Sequence, residues 1–117
     1  MNVEKLLQEL AAAYPDATTA TEGGRTLVKI LKVDFPRGCM PGHSSVLVVL
    51  EVRSAAPQLY VKELPKLANG GTPRSTSSAT VGGESWQTFS FNQPWDENKN
   101  TAIQFVEGRL RRFALNE

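Results

Sequence analysis

The chain has 117 residues, 40% hydrophobic and 21% charged, a length at which one compact core forms and about two thirds of the unfolded chain's surface is buried. Thirteen Lys and Arg against twelve Asp and Glu give a formal net charge of +1, which lacks the basic excess of a nucleic-acid binder. The longest apolar run, Val46 to Leu50, is far shorter than the roughly 18 residues of a membrane helix.

Val3, Leu6, Leu7 and Leu10 recur at i, i+3, i+4 and i+7, which predicts a helix over residues 2–13, capped by Asn2 and ended by Pro15. Thr18 to Gly24 is small and polar and reads as a loop. Leu27 to Phe35 is rich in β-branched and large apolar residues and reads as a first strand. Pro36, Gly38, Pro41 and Gly42 then punctuate a turn. Ser45 to Val52 contains the continuous apolar run of a strand covered on both faces, central to its sheet. After Pro57, Leu59 to Val61 form a third strand closed by Pro65, and the succession implies an antiparallel meander.

Ala68 to Gly83 is dominated by Gly, Ser, Thr and Pro, with a low-complexity run at Ser75, Thr76, Ser77 and Ser78, and predicts an extended surface loop. Glu84 to Phe91 alternates as a short edge strand, Trp86 and Thr88 on one side and Ser85, Gln87, Phe89 and Phe91 on the other. Ile103, Val106, Leu110 and Phe113 mark one side of a last helix, with Asp96, Asn98 or Asn100 as its cap. Arg109, Arg111 and Arg112 suit the negative, solvated end of that helix. Trp86 and Trp95, with Phe89 and Phe91, are expected to pack beneath it. The sum is a single α+β domain over residues 1–117: N-terminal helix, antiparallel meander sheet, and C-terminal helix packed on the sheet.

A hydrolase triad needs a nucleophile, a base and an orienting acid, and the one histidine, His43, falls in a turn between predicted strands. His43 reads as a polar turn residue and Cys39, four residues before it, as a structural cysteine; a thiol and imidazole pair, or a redox thiol, is the alternative. One Cys and one His do not fill a zinc shell. The pairs Gly23 and Gly24, Gly70 and Gly71, and Gly82 and Gly83 match no phosphate-binding or dinucleotide fingerprint and read as turns. The sequence therefore calls for no metal and no cofactor. A lone cysteine without a visible export signal points to a reducing, cytoplasmic setting.

Leu64, Pro65, Lys66, Leu67, Ala68, Asn69, Gly70 and Gly71, then Thr72 and Pro73, then Gly83, Glu84, Ser85, Trp86, Gln87, Thr88, Phe89 and Ser90, then Pro94 and Trp95, form a pattern across residues 57–114. It resembles the bacterial family called prokaryotic ubiquitin-conjugating-like family E. The resemblance implies the ubiquitin-conjugating (UBC-like) fold. It also implies a transferase-type role in which the domain accepts or positions a ubiquitin-like protein delivered by an adenylating activating enzyme. A catalytically inactive adaptor that binds either partner is the alternative.

In that family the carrier is a cysteine, because a thioester keeps the acyl group activated toward an amine. The corresponding zone here, Ser85 to Asn92, has no cysteine, and Cys39 falls in a different part of the domain. Ser90 occupies the motif serine and Ser85 is a second hydroxyl, so the resemblance implies an oxyester on one of them as the carrier. Asn92 stands where the family has a histidine; an amide there can donate a hydrogen bond to an oxyanion but cannot serve as a base. By the same resemblance the first helix, with Glu4 and Lys5, and the first predicted strand would face the activating enzyme. The ubiquitin-like tail would lie along Ser85 to Asn92.

Overall fold

In the computed structural model, which describes residues 1–54, 56–68, 70–73, 76–89 and 95–114 apart from the side chains of residues 89, 113 and 114, the first helix is α1, Val3–Ala13. The Asn2 side-chain oxygen accepts from the Lys5 N–H at 3.1 Å, satisfying one of the free donors of the first turn. Tyr14 leaves the helix at φ −128, as a residue before proline must. Leu6 and Leu10 are fully buried on the inner face.

Six strands follow: β1 (Thr18–Glu22), β2 (Arg25–Asp34), β3 (His43–Leu50), β4 (Gln58–Val61), β5 (Thr76–Val81) and β6 (Glu84–Phe89); α2 (Ala102–Ala114) closes the chain. They form one antiparallel sheet in the order β1-β2-β3-β4-β6-β5. The expected meander holds from β2 to β4, and two further strands come from segments expected to be loops. Thr18–Glu22 pairs with Arg25–Lys29, and Thr76–Val81 pairs with Glu84–Phe89. Both hairpins turn on a glycine pair with positive φ at each position: +57 and +80 at Gly23 and Gly24, +61 and +80 at Gly82 and Gly83. A two-residue type I′ turn needs that geometry, and its twist matches the strands it joins. β6 lies between β4 and β5 rather than at an edge.

β3 explains the layering. Val46, Val48 and Leu50 point to the helices, where they pack with Leu6, Leu10, Val28, Ile30, Leu59, Val61, Phe105, Val106 and Leu110. Leu47 and Val49 point the other way and join Leu27, Val81 and Trp86. Among the described residues no helix covers this second face. Instead, among the described residues β6 pairs with β4 at Val61 with Gln87, Thr88 Oγ1 donates to the Leu59 carbonyl at 2.9 Å, and the β5–β6 hairpin then crosses the sheet. At its tip the Gly82 N–H donates to Glu22 Oε2 at 2.8 Å. Trp86, expected beneath the last helix, is 1% exposed on this opposite face; Gln87 pairs with Val61 of the helix-side core, so alternation puts its neighbour Trp86 on the other side. Trp95 does sit by the helix, its ring edge-on to Phe105 at 5.8 Å and its indole N–H donating to the Thr101 carbonyl.

α2 is capped by Thr101, not by Asp96, Asn98 or Asn100. Thr101 Oγ1 accepts from the Gln104 N–H at 3.1 Å while Gln104 Oε1 accepts from the Thr101 N–H at 2.8 Å, a reciprocal capping box. Asp96 and Asn100 instead bond each other in the preceding turn. The buried face of α2 is Ala102, Phe105, Val106 and Leu110; Ile103 is half-buried, and the Phe113 side chain lies outside the described residues. Two contacts tie this end of the chain to α1. Glu9 Oε1 accepts from the Ala102 N–H at 2.8 Å, where a carboxylate also meets the positive end of the helix, and Lys5 Nζ donates to the Glu97 carbonyl at 2.8 Å.

At the far end of β2, Met40 and Lys66 exchange backbone hydrogen bonds of 2.9 and 2.7 Å. Gly38 approaches Ala68 so closely that a Cβ would stand 2.5 Å from the Ala68 Cβ, at φ +94, and only glycine fits there. Ser44, buried, accepts from the Lys62 and Glu63 N–H groups, which fixes where β4 ends.

Truncation should therefore hurt from either side of the sheet. Leu10→Ala on the helix side and Leu47→Ala under the hairpin should each cost about 2–5 kcal/mol, read as a lower urea midpoint at constant slope. A Leu47→Ala cost below about 0.5 kcal/mol, the level of an ordinary surface change, would mean that the hairpin does not seal the second face.

Candidate functional site

Of the hydroxyl and amide residues drawn from the sequence, Ser85 is described and Ser90 and Asn92 lie outside the described residues. Ser85 is the second residue of β6, opposite Thr80 and exposed. No described residue hydrogen-bonds its hydroxyl. A serine hydroxyl is scarcely ionised near neutrality and needs an adjacent base to attack, so its described surroundings supply no activation.

Cys39 and His43 part company. Cys39 is 4% exposed in the β2–β3 loop and packs into the helix-side core. Burial pushes its thiol above the ordinary value, the opposite of what a nucleophilic thiolate requires. His43 opens β3 on the surface, beside Asp34. Cys39 and Ser85 are also divided by the sheet, since the hairpin carrying Ser85 covers the other face. Among the described residues no group of three or more His, Cys, Asp and Glu gathers in a way that could hold a metal.

Two charged constellations are present that the sequence did not reveal. The first stands over the second sheet face. Glu84 accepts from Lys29 Nζ at 3.0 Å and from Lys62 Nζ at 3.3 Å, and the two ammonium groups lie 5.9 and 4.8 Å from the centre of the Trp86 ring, within cation–π range. Hydrogen bonds from Lys29 and then Lys62 hold the Glu84 carboxyl below its usual value. Beside it a cavity of about 120 Å³ is lined by Thr18, Leu27, Lys29, Leu47, Val81 and Trp86, among others. These groups close the hairpin onto β2, joining positions 55 and 22 residues apart that no local pattern connects.

The second is an open cleft of about 480 Å³ where the end of α1, the end of β2 and α2 meet. Val33, Phe35, Pro36 and Leu110 give it apolar walls, and Lys32, Arg111, Asp34 and Glu107 bring both signs of charge to it. Tyr14 contributes a hydroxyl whose pKa is raised, by burial first and by the Glu107 charge second. β2 bulges at this place, its register with β3 shifting between Ile30 and Val33, which re-aims the strand end toward the helices. Arg109, expected on the solvated helix end, is half-buried, and burial lowers its guanidinium pKa.

Compared with known protein families, curated proteins and solved structures, the chain finds no match in any of the three.

Two pH dependences follow. Glu84 has a lowered folded value, so its contribution to stability is present above the unfolded carboxylate value near 4.3 and is lost as pH falls through the folded value; Glu84→Gln should flatten the acid limb of a stability profile. Cys39 has a raised folded value. Its contribution is intact below the unfolded thiol value near 8.5 and is lost as pH rises through the folded value, so folded protein at pH 8 should react with iodoacetamide at least about tenfold more slowly than unfolded protein.

Proposed function

We propose that this chain is a UBC-like domain that positions a ubiquitin-like protein or its adenylating activating enzyme, and that it carries no acyl group on a thiol. The observation that carries this reading is the seating of Cys39. The one cysteine of the chain is packed in the core with a raised pKa, and in a conjugating enzyme the thiol must be ionisable and reachable. The order of helix, antiparallel strands and final helix on one sheet face agrees with the fold that the Trp86 to Ser90 motif suggests, though a fold alone does not establish function.

The cleft supports the same reading. By resemblance the first helix and the strand Leu27 to Phe35 would meet the activating enzyme, and the cleft lies where α1 ends, lined by residues 32–36. Lys5, proposed for that contact, is engaged with the Glu97 carbonyl, so Lys32 and Arg111 are the better candidates for reaching a partner.

The test mixes the protein with the ubiquitin-like protein and activating enzyme encoded nearest to it, with ATP, and reads covalent adducts by mass spectrometry and binding by titration. Binding without any reducible adduct, unchanged in Cys39→Ser and weakened several-fold by Lys32→Glu, is the expected result. A thioester on Cys39, or no binding to either protein, overturns the proposal. An adduct that resists thiol reductants and is lost in Ser90→Ala or Ser85→Ala would replace positioning with an oxyester carrier.

A further inference from the structure

We infer that the outer edge of β5 is a self-pairing surface through which two copies of this chain join their sheets into one. β5 is the last strand of the sheet, and among the described residues only β6 pairs with it. Because Gly82 and Gly83 form a two-residue turn, Val81 and Glu84 are the hydrogen-bonded closing pair, and bonding to β6 then alternates through Ala79 and Ser77. The N–H and C=O groups of Thr76, Ser78 and Thr80 consequently point outward. All three residues are exposed.

Sheet edges of natural proteins are ordinarily guarded by charge, proline, a bulge or shortness. The open end of β2 has such guards. β1 stops pairing at Thr18 with Lys29 while β2 continues to Asp34, and that overhang carries a bulge together with Lys32 and Asp34. β1 itself is shorter, turns outward groups only at Thr19 and Thr21, and ends in Glu22. β5 has none of these devices. Its six residues, Thr-Ser-Ser-Ala-Thr-Val, contain no charge and no proline, and its pairing with β6 runs from Thr76 to Val81 without a register shift.

The occupant is a second copy because this edge is its own complement. A two-fold axis perpendicular to the sheet sets β5 antiparallel to its mate, and side chains stay on matching faces when the axis passes midway between the two Ser78 residues. Ser78 then meets Ser78 and Thr76 meets Thr80, and these are the positions whose backbone groups point outward. Three hydrogen-bonded residue pairs form in this way with no charge brought against its like. The hydroxyls of Thr and Ser at such cross-strand positions add hydrogen-bonding partners. Closed two-fold pairing also leaves no further edge of the same kind, so association stops at the dimer.

Sedimentation equilibrium of the wild type over a range of concentrations, with Ser78→Pro and Ser78→Lys alongside, tests this. The wild type should approach twice the chain mass as concentration rises. Ser78→Pro removes an outward N–H that the fold itself does not use and that an edge strand can lose, and Ser78→Lys sets two like charges directly opposite each other. Each should weaken association at least about tenfold, with far-ultraviolet circular dichroism matching the wild type. Amides of Ser78 and Thr80 should also lose hydrogen-exchange protection on dilution of the wild type. A wild type that stays monomeric at the highest concentration, or folded variants that dimerise as tightly as it does, overturns the inference. Because the readout uses this chain alone, its outcome is independent of the ubiquitin-like partners.

Discussion

A strand with apolar side chains on both faces must be covered twice, and β3 imposes that demand on everything around it. Val46, Val48 and Leu50 are buried against the helices, and Leu47 and Val49 are buried on the reverse. Each fully buried side chain of this size is worth about 1.5–3 kcal/mol against leaving it in water, so an uncovered second face would forfeit stability comparable to what a small domain has in total. Both helices of the described residues go to one side. The other side is closed by folding the end of the sheet back over itself.

The same demand places the charges. Lys29 and Lys62 reach over Trp86 to a shared carboxylate, so the polar groups that hold the hairpin down also shield its largest aromatic ring. Partly exposed pairs of this type are individually worth little. Their value lies in fixing where the hairpin lands. On the helix side the equivalent task falls to Glu9 and Lys5, which join α1 to the start of α2 and to the turn before it. Among the described residues, the cleft at the end of β2 and the outer edge of β5 stand open to solvent.

Much of this was legible in the residues. The spacing of Val3, Leu6, Leu7 and Leu10 marks α1, and the run Val46 to Leu50 announces a central strand covered on both sides. β1 and β5 were not legible, because strands with little burial consist of Thr, Ser and Ala and share the composition of loops. The signal that could have found them was present in Gly23 with Gly24 and Gly82 with Gly83, each flanked by Thr and Val at hairpin distance. Trp86 lies on the face opposite to the expected one, since alternation gives two sides without saying which side holds the helices. The cap at Thr101 was readable from Gln104 three residues later, a pattern that Asp96, Asn98 and Asn100 obscured. Of the candidate site, the location of Cys39 outside the motif zone was legible; its burial depends on the contacts between Met40 and Lys66 and between Gly38 and Ala68, which are long-range.

The contact between Glu9 and the Ala102 amide also bears on how the chain folds. It closes a span of 93 residues, and closure entropy grows only logarithmically with length, so the distance takes little from equilibrium stability. It weighs on the rate instead. The two glycine hairpins can form in about 1–10 μs from neighbouring residues, whereas α1 reaches its place against α2 only after nearly the whole sheet lies between them. Contacts of such separation slow two-state folding. The helical side of the core, which carries most of the buried side chains, is thus the side whose completion depends on the longest closure.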